Sequence, residues 1–164
     1  MPISPDEFRA ALSRFASGVT VVTTRDSSGE LYGITVSAFS SVSLDPPLVT
    51  VIVDNNAGSH HAFEESGVFA VNILSGEQAS VSDHFAFKHE DKFTGIDLMM
   101  DEHDLPWLEG CIVNMTCRLR ESFVSGDHTI FVGEIEAVRT AEADPLVYFR
   151  GAYHSLDSGL EHNH

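Results

Sequence analysis

Positive charge is what this chain has least of: nine Lys and Arg stand against 25 Asp and Glu, a formal net charge of −16. So acidic a surface repels polyphosphates and anionic bilayers, which argues against nucleic acid and membranes as partners. The only lysines, Lys88 and Lys92, fall in one short stretch. Cysteine is scarce too. Cys111 and Cys117 flank one apparent strand, ~20 Å apart at about 3.3 Å per residue, beyond the reach of a disulfide within it. No apolar run is long enough to span a bilayer, and the opening MPISPDEF has neither the basic start nor the apolar middle of a signal peptide. The expectation is a cytoplasmic protein. HExxH, CxxC and GxSxG are missing, as is a GxGxxG following a strand, which argues against zinc hydrolases, serine hydrolases and Rossmann dinucleotide binding. Of nine histidines only His60 and His61 are adjacent, and neighbours in a helix or strand point different ways, so no metal site is expected.

What remains is a chain of 164 residues with eleven Phe and frequent Val and Ile, enough for one domain with its own core. We assign that domain to residues 1–156; residues 157–164 carry no packing signal and are expected to form a disordered tail. Residues 4–16 read as a helix, with Ser4 as N-cap, Pro5 at the first helical position and Glu7 closing a capping box. Phe8, Ala11, Leu12 and Phe15 then recur on one face. The helix runs into Val19–Thr24, and the Ser17-Gly18 junction offers a place where backbone could approach a ligand.

The rest is mainly β. Leu48–Val53 is an unbroken apolar run, expected to be a strand buried on both faces. After it, the polar stretch from Asp54 to His61 leads into a helix near 59–66. That junction is either a plain capped helix start or a phosphate site at free N–H groups. Val68–Leu74 reads as a strand, 76–87 as a helix, and 88–93 as a charged surface segment or lid. Residues 94–110 read as a long acidic loop around Pro106-Trp107. From Ile112 the alternation is plain, with Val113, Met115, Cys117 and Leu119 on one face and Asn114, Thr116, Arg118 and Arg120 on the other. Turn chemistry at Ser125-Gly126-Asp127-His128 makes a long hairpin with 129–138. Leu146–Phe149 is a last short strand.

The stretch Gly33–Pro47 (GITVSAFSSVSLDPP) stands apart. It begins as an alternating strand, then crowds Ser37, Ser40, Ser41 and Ser43 among β-formers and stops at Asp45-Pro46-Pro47. The serines either solvate an edge strand or line up neutral donors for a planar polar ring or a phosphate. His128 likewise is either a bare turn residue or an imidazole able to orient a carboxamide or take up charge.

This stretch, the preceding FASGVTVVTT (Phe15–Thr24), the Gly126-Asp127-His128 triplet and the late YFRGAYH (Tyr148–His154) resemble, in order and spacing, the short-chain flavin reductases. These are the small reductase components of two-component flavin monooxygenases, and the resemblance runs from about Pro5 to Leu156. It implies an FMN-binding split β-barrel with a few flanking helices, usually a homodimer, that reduces FMN or FAD with NADH or NADPH for a partner monooxygenase. The same resemblance implies that Val36, Ser37 and Ala38 lie near the isoalloxazine ring and Ser40 and Ser41 near the ribityl and phosphate groups. It matches Asp54, Asn55 and Ser59 to the next flavin-contacting turn, and Phe85 and Lys92 to the segment closing over the flavin tail. His128 falls on the nicotinamide side, with Phe149, Arg150 and Tyr153 lining that pocket. The alternative within the same resemblance is a non-catalytic split-barrel protein that holds flavin as a sensor or store.

Overall fold

The computed structural model describes residues 2–87 and 91–156. The expected tail at 157–164, and Lys88, His89 and Glu90 within the charged segment, lie outside the described residues. The chain begins with α1 (Pro5–Leu12), where Ser4 and Glu7 form both halves of the capping box. A two-residue strand β1 (Ser17–Gly18), β2 (Thr20–Arg25) and β3 (Leu31–Val36) follow, then β4 (Phe39–Ser43) and β5 (Leu48–Asp54). After these come α2 (His60–Ser66), β6 (Val68–Ile73), α3 (Ala79–Ala86), and the short β7 (Leu98–Met100) and β8 (Pro106–Leu108). The long hairpin β9 (Val113–Ser125) and β10 (His128–Thr140) and the small hairpin β11 (Val147–Phe149) and β12 (Ala152–His154) complete the fold.

Seven strands form one antiparallel sheet in the order β3-β2-β6-β9-β10-β5-β4. Its two edges, β3 and β4, are consecutive in the chain and only Ser37 and Ala38 separate them. The sheet therefore curls until its edges meet at this link, the seam of a split barrel. The stretch read as one strand is thus two strands that pair at opposite edges of the sheet. The Phe39 amide turns back onto the Ser37 carbonyl at 3.0 Å and Ile52 N–H reaches the Ala38 carbonyl at 3.1 Å. A turn this tight needs neither Gly nor Pro, so periodicity alone does not reveal it.

Val22, Val51, Val71, Met115, Cys117 and Phe131 fill the barrel, capped by Phe63 of α2. Phe63 and Phe131 stack with centroids 4.6 Å apart. A second cluster on the outer face packs Val19, Val21 and Leu74 against Phe85 of α3 and Leu146. As a result β2 and β6 are buried on both faces, whereas β5, expected to be so, alternates between buried and half-buried positions.

Residues 94–110, expected as a loop, carry β7 and β8 on the outer face of the sheet. Asn114 and Thr116, on the polar face of the alternation, are buried beneath them. Asn114 Nδ2 donates to Asn72 Oδ1 at 2.8 Å and to the Leu108 carbonyl at 3.0 Å, and Trp107 Nε1 donates to Thr116 Oγ1 at 3.0 Å. These bonds satisfy groups that would otherwise be costly to bury. The Ser17-Gly18 junction is occupied as well, since β1 pairs with β11. The apolar side chains of α1 and the turn after it are left largely exposed: Phe8, Leu12 and Phe15 are 52%, 55% and 80% exposed.

Candidate functional site

Four segments distant in sequence enclose a cavity of ≈ 630 Å³: β3 with the residue before it, the turn after β5, the end of α3, and Lys92-Phe93. Gly33 makes the first contact possible. A Cβ there would lie 2.7 Å from the Phe85 ring and 3.2 Å from Phe93 Cζ, so the missing side chain lets α3 and Phe93 close onto β3. Thr35 Oγ1 donates to the Ser82 carbonyl at 2.6 Å, stitching the same helix to the same strand.

Lys92 fastens the fourth segment. Its Nζ donates to the Gly33 carbonyl at 3.0 Å and the Phe85 carbonyl at 2.8 Å, and burial pushes its pKa down from the usual lysine value. It is the one cation among the described lining residues. Phe93 supplies an aromatic face beside the Phe85 ring, with centroids 5.4 Å apart.

The opposite wall is the turn from Asp54 to Ser59. Asp54 Oδ1 accepts the Asn56 amide at 2.8 Å and its carbonyl accepts the Ala57 amide at 3.0 Å, a self-contained Asx turn that presents Asn56, Ala57 and Gly58 to the cavity. Ser59 follows at the N-cap of α2, yet its backbone is helical and its side chain makes no capping bond. Only 5% exposed, its Oγ is the one buried side-chain polar atom without a partner among the described residues, and Ser59 lines the cavity.

A hydroxyl without a partner beside a cavity is a group that a ligand can satisfy. The remaining lining suits a hydroxylated, phosphorylated molecule with a flat ring. Glu30 and Asp54 offer acceptors for hydroxyls, Lys92 offers a positive charge, and Leu31, Ile34 and Phe93 offer apolar surface. A flavin has all of these parts, so the residues fit it.

Of the flavin-side residues expected from sequence, Asp54, Ser59 and Lys92 meet around this cavity. The others are placed differently. Val36 is in the barrel core and Phe85 is fully buried behind Gly33, so their side chains support the walls without reaching the cavity. Asn55 turns away: its Oδ1 accepts from Thr129 Oγ1 at 2.6 Å, and its neighbours line the cavity instead. Ser37, Ala38, Ser40 and Ser41 lie exposed at and beyond the seam, with Ser40 Oγ donating to the Ser41 carbonyl at 3.0 Å. Tyr32 and Phe93 also line the cavity without any signal in the sequence, whereas Gly33 and Asn56 fall within the Gly33–Pro47 and Asp54–His61 stretches.

His128 opens β10 directly opposite the cavity-lining Asp54 but is not itself among the lining residues. Its Nδ1 lies 2.7 Å from Asp127 Oδ1, and that bond and the imidazole's charge hold the Asp127 carboxyl below the usual carboxylate range. Nε2 makes no hydrogen bond to the other described residues. Phe149, Arg150 and Tyr153 belong to the β11–β12 hairpin and do not line the cavity. Tyr153 Oη meets Ser82 Oγ at 2.7 Å and Asp83 Oδ1 at 2.6 Å on α3. Arg150, at φ 52°, donates its amide to the Ser13 carbonyl at 2.8 Å.

Two groups of residues bring three candidate metal-ligating atoms within 4.8 Å of one another: Asp26, His61 and Glu65, and Glu102, His103 and Glu136. Both are tied into other bonds. Asp26 Oδ1 takes the Ser28 amide and hydroxyl and the Glu30 amide, and Glu136 takes Arg118 Nε at 2.6 Å and His103 Nε2 at 3.1 Å.

Comparison with known proteins accords with this geometry. The model of the flavin reductase like domain family matches residues 12–157. An NADH-dependent flavin reductase of a Rhodococcus species is 40% identical over 94% of this chain and 88% of its own length, and a flavin reductase of Pseudomonas putida is 38% identical over 92% and 89%. Among solved structures, the flavin reductase PheA2 in its native state superposes with a TM-score of 0.85 at 37% identity, over 95% of this chain and 100% of its own. The NADH:FAD oxidoreductase SgcE6 of Streptomyces globisporus C-1027, solved with NAD and FAD fragments, reaches 0.91 at 30% identity, over 98% and 99%.

Proposed function

We infer, from the premise that this chain belongs to the flavin reductase like domain family, that it is an NAD(P)H:flavin oxidoreductase supplying reduced FMN or FAD to a partner monooxygenase. Bound flavin supplies the redox chemistry, accepting a hydride from the reduced nicotinamide. The chain's own work is to bind, orient and shield.

The orphan Ser59 hydroxyl is the observation that carries the placement of flavin in the cavity. In this reading Ser59 Oγ and Lys92 hold the phosphate end of the flavin, which the acidic protein would otherwise repel. Asp54 and Glu30 accept from ribityl hydroxyls. Along the seam, Ser37 lies toward the ring and Ser40 and Ser41 toward the ribityl and phosphate groups. His128, with Nδ1 bonded to Asp127, offers Nε2 to the nicotinamide carboxamide, and Phe149, Arg150 and Tyr153 border that side.

The working unit in this reading is a homodimer. The support for this is the exposed apolar stripe of Phe8, Leu12 and Phe15, with Leu44 and Val124 also exposed. A second copy of the chain covers it. The partner monooxygenase receives reduced flavin by release from the open cavity.

The test is anaerobic addition of NADH, then NADPH, to protein loaded with FMN or FAD. Bleaching of the flavin band is the expected result, with KM for the nicotinamide raised or turnover lowered in His128→Ala while flavin remains bound. A stable oxidised spectrum would convert the protein from an enzyme into a flavin store.

A further inference from the structure

The mouth of the β9–β10 hairpin is held by more than strand pairing. We propose that His60, Thr129 and Asn55 form a hydrogen-bonded strut that positions His128 against the cavity wall, which makes His60 and Thr129 positioning residues for flavin reduction. The inference rests on the nicotinamide-side role given to His128 above.

Asn55 sits between the two structures to be aligned. Its backbone N–H donates to the Asp127 carbonyl at 2.9 Å and its Nδ2 to the Gly126 carbonyl at 3.4 Å, both in the turn that precedes His128. Its Oδ1 accepts the Thr129 hydroxyl at 2.6 Å. Thr129 is 1% exposed, and its single hydroxyl proton is committed to Asn55. The 2.8 Å contact between Thr129 Oγ1 and His60 Nε2 therefore runs from Nε2–H to the hydroxyl oxygen. His60 is fixed as a donor at Nε2, and either protonation state of the ring can make this bond.

His60 is itself anchored. Its ring packs tilted against fully buried Phe131 with centroids 5.5 Å apart, and its amide bonds the Ala57 carbonyl at 3.1 Å. It opens α2 immediately after the cavity wall of Asn56 to Ser59. The strut thus crosses from the wall that lines the cavity to the turn that presents the imidazole. Backbone pairing of His128 with Asp54 sets the register, while the strut sets how far the turn stands from the wall. Loss of one such buried bond lets the turn drift, and small displacements of positioning groups cost rate disproportionately.

Three variants test this. His60→Phe keeps the ring against Phe131 and removes the donor, Thr129→Val removes the link with little change in shape, and His60→Gln restores an N–H near Nε2. Both His60→Phe and Thr129→Val are expected to lower kcat/KM for NADH about tenfold, the scale of one lost hydrogen bond in this position. KM for NADH should rise more than the flavin Kd in each. Deuterium uptake at the 125–128 amides of the flavin-free chain should increase in both. His60→Gln should return uptake and kinetics toward wild type. Because the strut acts through His128, His60→Phe should cost nothing further in a His128→Ala background. An additive loss in that background overturns the proposal, as do unchanged uptake and kinetics in both single variants, or a Gln variant as impaired as the Phe variant. Wild-type kinetics for His128→Ala alone would instead refute the role of His128 itself, and the strut's catalytic meaning with it.

Discussion

Replacing Ser59 by Ala separates a ligand-binding hydroxyl from a structural one by the opposite signs of two effects. Ser59 Oγ is buried and has no hydrogen-bond partner among the described residues. A buried unsatisfied polar group costs about 1–3 kcal/mol, so Ser59→Ala should leave the flavin-free protein at least as stable and up to about 3 kcal/mol more so. At roughly 2–4 °C per kcal/mol for a chain of this size, its Tm should stay level or rise by up to about 12 °C. In the proposed placement of the flavin the same hydroxyl would donate to its phosphate or to one of its hydroxyls. A bond to a charged group contributes about 1.5–3 kcal/mol, so the flavin Kd should rise roughly 10- to 160-fold in the variant. Scanning calorimetry of the flavin-free protein and fluorescence titration with FMN and FAD read the two effects separately. A lowered Tm with unchanged flavin affinity would show Ser59 to be an N-cap after all, and the placement of the flavin phosphate at this wall would fall with it.

Gly133→Ala should destabilise by about 1–3 kcal/mol, the cost of overpacking a rigid core. The added Cβ would lie 2.5 Å from Phe69 Cζ and 2.8 Å from Cys117 Cβ, neither of which has room to retreat; an unchanged urea midpoint would contradict this packing. Leu12→Asp and Phe15→Asp should convert a dimer to a monomer in light scattering, since both place a charge on the exposed α1 stripe, and a wild-type chain already monomeric would remove the dimer from the reading. The two buried thiols give a pH dependence. Burial pushes Cys111 from 9.0 up to about 11 and Cys117 from 9.0 up to about 12, so the folded chain holds protons that the unfolded chain releases. Their contribution is fully present below pH 9.0 and is lost as pH rises toward those folded values, at about 1.4 kcal/mol per pH unit for each thiol. Unfolding midpoints between pH 8 and 11 should therefore fall more steeply in wild type than in the Cys111→Ala, Cys117→Ala double variant, and equal slopes would refute it.

Local chemistry was legible in the amino-acid order alone. The Ser4–Glu7 capping box, the β9–β10 hairpin turning at Gly126-Asp127, and the β-rich character of the chain depend on residues a few positions apart, and each appears where the spacing put it. Family membership was legible too, because the motifs that carry it recur in order along most of the chain. Among the expected flavin-side residues, Asp54, Ser59 and Lys92 converge on one cavity, while Val36 and Phe85 support it from the core and Asn55 braces the neighbouring turn. The seam at Ser37-Ala38, the burial of Asn114 and Thr116 beneath β7 and β8, and the bare face of α1 were decided only when the sheet curled and its outer layer was laid down. The reason is physical. Alternation along a strand reports one buried face, but what covers the other face comes from segments tens of residues away. A cavity walled by residues 30–34, 54, 56–59, 86 and 92–93 exists only once those segments are packed together.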